Sequence, residues 1–376
     1  MSDTVERLRR EVMEPLKRRY VGRDEVCDLM AVAVVAGEHL FLHGPPGTAK
    51  SALIRSFAQA VKGRYFEYLL TRFSEPNEVF GPIDLARLRE GTVATSTTGM
   101  LPEAEFVFLD ELFNANSALL NNLLTVLNER VFRRGAETHQ LPLLSLFSAS
   151  NRLAEDEALQ ALFDRFLLRC RLENLPREAM PRLLAAGWAL ESERPQASSV
   201  TTEELRALAR RILSVDVGRV GELYADAVFK VRDLGITLSD RRAVKVLKLV
   251  AASALLCGRE TVQPSDLWVL RYVWDREEQI GPLAALVNGL LEPHAGEPRS
   301  HPLAAPPSKI DGEALARELE ELEREAGAAG ASPRLAVLAR LRERATALSD
   351  RAAWVTDEAR RKHLLARTGA LVEKLG

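Results

Sequence analysis

The run Gly44-Pro45-Pro46-Gly47-Thr48-Ala49-Lys50-Ser51 separates a short apolar segment, His39-Leu40-Phe41-Leu42, from Ala52-Leu53-Ile54-Arg55-Ser56-Phe57-Ala58, whose pattern is helical. A glycine-rich turn between a strand and a helix suits a bound triphosphate. Its backbone N–H groups can wrap the phosphates, and the helix N-terminus adds partial positive charge. In such a loop Lys50 reaches the β- and γ-phosphates and Ser51 ligates Mg²⁺. The usual glycine before the lysine is here Ala49, whose methyl group is the smallest side chain after glycine.

A second chemical element is Phe106-Val107-Phe108-Leu109-Asp110-Glu111, four apolar residues ending in two carboxylates. It reads as a buried strand delivering acids to its carboxyl edge. Asp110 can hold Mg²⁺ there, and Glu111 can polarise an attacking water. The plainer alternative, a strand closing in an acidic turn, loses ground because a phosphate loop lies about 60 residues upstream. A third apolar run, 144–149, leads through Ser150 to Asn151, which can contact a γ-phosphate or fix a lytic water, or simply cap a turn. In Leu162-Phe163-Asp164-Arg165-Phe166, Arg165 can complete a neighbouring subunit's site or pair with Asp164, and chemistry alone does not choose. Ser239-Asp240-Arg241-Arg242 reads either as a site arginine, Arg241, or as a helix N-cap followed by solvated charges.

The elements that must position these groups follow from the pattern. Within 1–173, strand candidates at 39–42, 65–70, 106–109 and 144–149 alternate with helices at 24–36, 51–61 and 117–130. That alternation predicts an α/β core with a parallel sheet covered on both faces. Residues 174–291 predict a separate helical domain, with stripes at Leu205/Leu208/Ile212, Val244/Leu247/Val250–Ala251 and Leu267/Leu270/Trp274. The prolines of 292–308 mark a linker. Residues 309–376 predict a helical bundle: one helix carries Leu315, Leu319 and Leu322, a second begins after Ser332-Pro333 with Leu335, Leu338 and Leu341, and a third spans 352–373 with Trp354, Leu364–Leu365 and Leu371.

Bulk composition narrows the classes. Lys plus Arg number 51 against 53 Asp plus Glu, a net charge of −2 that leaves no chain-wide footprint for nucleic acid. The three cysteines, Cys27, Cys170 and Cys257, have no zinc spacing and fit a reducing compartment. The N-terminus has no apolar signal core, and the longest apolar runs, near 29–37 and 249–257, are about half a membrane span. A cytoplasmic protein without a membrane span is expected.

Taken together, these motifs resemble the AAA+ ATPases, within them the MoxR group, and most closely its RavA branch. The resemblance covers about 1–285. It rests on Gly44–Ser51 with Ala before the Lys, on Leu109-Asp110-Glu111-Leu112-Phe113, and on the helix Asn121-Asn122-Leu123-Leu124-Thr125-Val126-Leu127-Asn128-Glu129-Arg130. It implies an AAA+ P-loop core, a helical lid and a ring, usually hexameric, that uses ATP and Mg²⁺. Val21-Gly22 then lie against adenine, and Gly44, Pro45, Pro46, Gly47, Thr48, Ala49, Lys50 and Ser51 hold the phosphates. Asn151 takes the sensor-1 position, Arg165 the arginine finger with Arg169 as a second candidate, and Arg241 the sensor-2 arginine. Residues 75–102 match an insert that is often pore-facing. The family implies a protein client and often a von Willebrand factor A partner. A nucleotide-switched scaffold and a nucleic-acid motor are the rival readings; near-neutral charge argues against the motor and an intact Glu111 against the scaffold. Residues 309–376 leave no room for the β-rich domain of RavA-like proteins.

Overall fold

A computed structural model describes residues 2–135, 137–154, 156–192, 198–304, 312–328, 335–352 and 358–374. They fall into two compact units, Met1–Ala304 and Ala305–Gly376. In chain order the strands of the first unit are β1 (Leu40–His43), β2 (Tyr65–Leu69), β3 (Phe106–Asp110), β4 (Val131–Arg134), β5 (Glu137–Gln140), β6 (Ser145–Ser150) and β7 (Leu168–Arg171). Five of them form one parallel sheet in the order β2-β3-β6-β1-β7, and β4-β5 make a separate antiparallel hairpin. The central strands β1 and β6 are buried at every residue. That is why they read as unbroken apolar runs and not as alternating ones: helices cover both faces of the sheet.

Register brings the chemical ends together. His43 pairs with Ser150, Leu109 with Ser148, and Gly44 N–H donates to the Ser150 carbonyl at 3.1 Å. The loop after β1, the acids ending β3 and Asn151 after β6 therefore share one edge, the carboxyl edge where parallel sheets bind ligands. Helix α1 (Asp24–Ala36), which follows a helical stretch over 2–19, is buried without a break from Val26 to Ala36. A helix that is apolar all round belongs in an interior, and this one packs between β1 and β7 on one side and lid helices on the other. That accounts for the apolar run near 29–37; among the described residues no helix is long and apolar enough to cross a membrane. Further helices of this part of the chain include α2 (Lys50–Ala60), α3 (Ser117–Glu129) and α4 (Glu157–Phe163).

The helical region after β7 includes α5 (Thr202–Arg211), then the lid helices α6 (Gly221–Asp233), α7 (Asp240–Leu256), a 3₁₀ stretch Pro264–Tyr272 and α8 (Ile280–Leu291). Two expectations change here. The stripe through Val244 holds only in part: Val250 and Ala251 are buried as expected, but Leu247 is partly buried and Val244 exposed, and α7 also buries Val246, Leu249 and Ser253, because the face on α1 is the one that packs. Leu267, Leu270 and Trp274 are buried as expected, but Leu267 and Leu270 lie in a 3₁₀ helix opened by Pro264. Its fold is held by buried Asp266, which accepts from Ser253 Oγ at 2.7 Å and from the Arg259 guanidinium at 2.7 Å. The proline-rich stretch is also no free spacer up to Ala304. His301 stacks on Trp268 with centroids 4.5 Å apart, and Arg271 donates to the Leu303 carbonyl at 2.7 Å.

The second unit contains α9 (Gly312–Ala328), α10 (Leu335–Ala352) and α11 (Glu358–Lys374). Leu315, Leu319 and Leu322 pack with Leu341, Ala345, Leu348, Ala352, Leu364 and Leu371. Each helix alone is amphipathic and marginal, so the shared leucine core is what holds them. Arg367 adds a forked pair to Glu323, at 3.2 and 2.6 Å. No strand occurs among the described residues of this unit. Ala352 closes α10, so the third helix starts later than expected; Trp354 and Ser332-Pro333 lie outside the described residues.

Candidate nucleotide site

The loop after β1 is shaped by two glycines and one strained alanine. At Gly44 a Cβ would stand 2.3 Å from the Leu172 carbonyl oxygen, so only glycine lets β1 turn out beside the residue that follows β7. Gly47 has φ +79° with open space around it, which leaves the loop tip free of side chains. Ala49 adopts φ 63°, ψ 24° at the N-cap of α2, a left-handed geometry that costs an L residue about 1–2 kcal/mol. The sequence shows why alanine fits by size; it does not show that it must hold a glycine's conformation. Thr48 Oγ1 donates to the Pro45 carbonyl at 3.0 Å and closes the loop.

Lys50 is buried inside this loop, its ammonium donating to the carbonyls of Gly44 (3.0 Å) and Pro45 (2.8 Å) and to Thr48 Oγ1 (3.4 Å). Burial pulls its pKa down, while the charges of Asp110 and Glu111 oppose that shift. The two acids that end β3 thus act on the lysine of the loop, although 60 residues separate Lys50 from Asp110 in the chain. Glu111 leaves the strand with φ 53°, ψ 50°. Of the five non-glycine residues with positive φ among the described residues, Ala49 and Glu111 both flank this edge, where strain held by surrounding structure characteristically gathers. The turn re-aims the Glu111 carboxylate, which accepts from Ser150 Oγ at 3.4 Å. Asn151 is exposed directly after β6, and among the described residues nothing holds its amide.

Magnesium would meet hard oxygen donors here, the Ser51 hydroxyl and the Asp110 carboxylate. Among the described residues no cluster of three or more His, Cys, Asp or Glu could hold a metal alone. A site of one hydroxyl and one carboxylate fits Mg²⁺, which keeps waters and substrate phosphates in its shell.

Val21 is buried and Gly22 exposed in the turn before α1. Gly22 has φ +69°, and a Cβ there would strike Leu175 Cδ2 at 2.3 Å. The neighbouring Arg23 went unread in the sequence. Its buried guanidinium donates to the carbonyls of Thr48 (3.1 Å), Gly22 (3.2 Å) and Glu173 (3.0 Å), tying the turn before α1 to the loop after β1. Tyr20 does similar work, donating to the Ala52 carbonyl at 2.9 Å and lying 2.7 Å from Ser56 Oγ. Nothing in periodicity or local motif marks either residue, because the contacts to Thr48 and Ala52 reach across 25 and 32 positions.

The arginines divide sharply. Arg169 is 1 % exposed, stacks over Phe163 at 3.9 Å, and donates to the carbonyls of Phe166, Phe163 and Trp274 and to the Asp275 carboxylate. Such a guanidinium cannot reach a neighbour, so Arg169 drops out as a finger candidate. Arg165 remains partly exposed, and among the described residues its partner is Asp164 at 3.5 Å. Arg241 is exposed, and no partner holds it among the described residues. Arg242 beside it is buried, donating to the Thr237 carbonyl and pairing with Asp275 at 3.1 Å and Asp164 at 3.0 Å. Burial drives the Arg169 pKa down to about 10, and the charge of Arg242 adds to that. Burial pushes the Asp275 carboxyl up, but Arg169 and Arg242 outweigh it and hold it below its ordinary value. Asp164 and Arg169 of the core thus pair with Arg242 and Asp275 of the lid and form the charged hinge between the two.

A parallel sheet with this strand order, a phosphate loop after its first strand and a helical lid define the AAA+ α/β fold. A family profile described as the MoxR domain in the MoxR-vWA-beta-propeller ternary systems matches residues 6–210, and an AAA lid domain profile matches 224–287. Two uncharacterized proteins of Methanocaldococcus jannaschii are each 36% identical to the chain. One match covers 71% of both chains; the other covers 74% of this chain and 73% of the relative. Chaperone MoxR1 of Mycobacterium tuberculosis is 30% identical over 44% of each chain. A crystal structure of a proposed ATPase from Cytophaga hutchinsonii superposes with a TM-score of 0.62 at 17% identity, covering 77% of this chain and 94% of that one, a likeness of fold. The chain belongs to the MoxR family of AAA+ proteins.

Proposed function

We propose that this chain is a Mg²⁺-dependent ATP hydrolase that works as a ring and remodels a protein client. The observation that carries this reading is the meeting of three strand ends on one edge: the Lys50 loop after β1, Asp110 and Glu111 after β3, and Asn151 after β6. In this reading Gly44, Pro45, Pro46, Gly47, Thr48, Ala49 and Lys50 bind the phosphates, with Val21 and Gly22 on the adenine side. Ser51 and Asp110 hold Mg²⁺, which supplies charge neutralisation at the phosphates. Glu111 takes a proton from the attacking water at its carboxylate, and Asn151 orients that water. Arg241, exposed at the start of α7, senses the nucleotide from the lid. Arg165 stabilises developing charge in the next subunit's site, which requires a ring; a hexamer is the family analogy.

Two features support a protein partner. Phe73, Leu85 and Val93, on the segment between β2 and β3, are exposed apolar side chains, the kind of surface that contacts other proteins. The matching family description names von Willebrand factor A and β-propeller components, so a partner carrying either domain fits this reading. The RavA-like branch rests on the 121–130 helix alone.

Two variants test the site. Lys50→Ala should abolish ATP binding by calorimetry, and tight residual binding would disprove the loop assignment. A pull-down with Glu111→Gln held in ATP, read by mass spectrometry, should retain a protein client or an adhesion-domain partner; nucleic acid alone in the eluate would point to a motor instead.

A further inference from the structure

The turn that follows α4 places two arginines on one carboxylate. Asp164 Oδ1 lies 3.0 Å from Nη1 of the lid residue Arg242, and Asp164 Oδ2 lies 3.5 Å from Nη1 of Arg165. The turn itself is rigid. Asp164 N–H donates to the Gln160 carbonyl at 2.9 Å, and Arg165 and Phe166 N–H donate to the Leu162 and Phe163 carbonyls at 3.0 Å. Phe163 and Phe166 on either side are buried against Phe41, with centroids 5.1 and 5.9 Å away, and such aromatic pairs add about 0.5–1.5 kcal/mol each beyond area burial.

Charge explains why Asp164 is needed. Arg169 from β7 and Arg242 from α7 both lie on Asp275, so the buried hinge holds two guanidinium groups on one carboxylate. Asp164 is the second carboxylate and brings the cluster to neutrality. Arg165 is then a further cation, loosely held, with its Nε buried and without a partner. A lid movement that draws Arg242 away leaves Asp164 free to take Arg165 fully. With the lid docked, Asp164 is engaged by Arg242 and Arg165 is free to leave it.

We propose that Asp164 is a positioning residue that couples the lid of one subunit to the arginine that subunit presents to the next. The inference rests on reading Arg165 as a finger acting in trans. It goes further by routing the state of one subunit's lid into the neighbour's site through a single carboxylate, in which Asp164 touches neither nucleotide nor water.

Four variants separate this inference from its premise. Asp164→Asn keeps size and loses charge; it should bind ATP with a Kd within about twofold of the parent while kcat falls about tenfold, a barrier change near 1.4 kcal/mol. Because the misplaced arginine serves the neighbour, mixing Asp164→Asn with Glu111→Gln subunits should raise activity above the sum of the separate preparations, as mixing Arg165→Ala with Glu111→Gln should. Asp164→Glu, which keeps the charge, should recover most of kcat. If Arg165→Ala is rescued by mixing and Asp164→Asn is not, or if Asp164→Asn has the parent's kcat, the coupling is wrong while the trans finger stands. If Arg165→Ala is not rescued at any ratio, the finger assignment fails and the coupling falls with it.

Discussion

The carboxyl edge of the sheet and the hinge between β7 and the lid both gather charged groups, but they hold them differently. At the edge the groups are unevenly satisfied: the three donors of buried Lys50 meet Gly44, Pro45 and Thr48, but the Glu111 carboxylate has only the 3.4 Å contact from Ser150, Asn151 is exposed, and Ala49 and Glu111 keep left-handed backbone. At the hinge Arg169 and Arg242 are buried and paired with Asp275 and Asp164 through contacts that leave no room for a ligand. A group ready to meet a substrate is left with spare hydrogen-bonding capacity, whereas a group that holds two domains together has little left over. The difference sorts the arginines: Arg165 and Arg241 keep that capacity, and Arg169 and Arg242 have spent most of theirs on the fold.

The largest expected effect comes from the edge. Glu111→Gln should slow phosphate release by about 10²- to 10⁴-fold, the range for a lost general base, with ATP still bound; near-normal turnover would remove Glu111 as the base. Its unfolding free energy should move by no more than about 0.5 kcal/mol, as for changes away from packed features. The hinge should respond the opposite way. Asp275→Asn leaves two buried guanidinium groups short of a carboxylate and should lower stability by about 3–5 kcal/mol in denaturant titration; an unchanged midpoint would mean the hinge is not structural.

Acid sharpens the contrast further, because two histidines are buried away from the edge. His39 accepts from Leu146 N–H at Nδ1 (3.1 Å) and faces the Leu127 carbonyl with Nε2 (3.3 Å), so its neutral ring is satisfied. Burial, helped by Arg130, drives its pKa from 6.5 to about 3. Burial does the same to His301, helped by Lys17 and Arg259. The unfolded chain therefore takes up protons that the folded chain refuses. Stability is full above about pH 6.5 and falls as pH drops from there toward 3, by about 1.4 kcal/mol per pH unit for each ring. A melting temperature that is flat between pH 7 and 5 would contradict this, and His39→Gln should flatten part of the slope. The smallest effect belongs to Ala49→Gly, which relieves a left-handed alanine and should raise stability by up to about 1 kcal/mol.

Much of the site was legible because its chemistry is local. The phosphate loop is eight consecutive residues, and β3 and β6 announce themselves as apolar runs that end in polar groups. Other parts were not. β7, Leu168–Arg171, alternates leucine and cysteine with arginines and reads as nothing in particular, because what buries Arg169 is Asp275, 106 positions later. The hairpin of β4 and β5 carries Arg133, Arg134, Glu137 and His139 in ten residues, too polar to signal strands. Arg241 and Arg242 are adjacent and chemically identical, so only packing separates an exposed one from a buried one.

What the sequence determined by itself is what depends on neighbours in the chain: a glycine turn that must precede a helix, acids that must follow an apolar strand, leucines spaced to line a helix face. The tertiary structure decided which strand lies beside which, which arginine is exposed and which carboxylate serves two partners. Those outcomes depend on burial and on charge pairing across more than a hundred residues, and neither exists until the chain is folded.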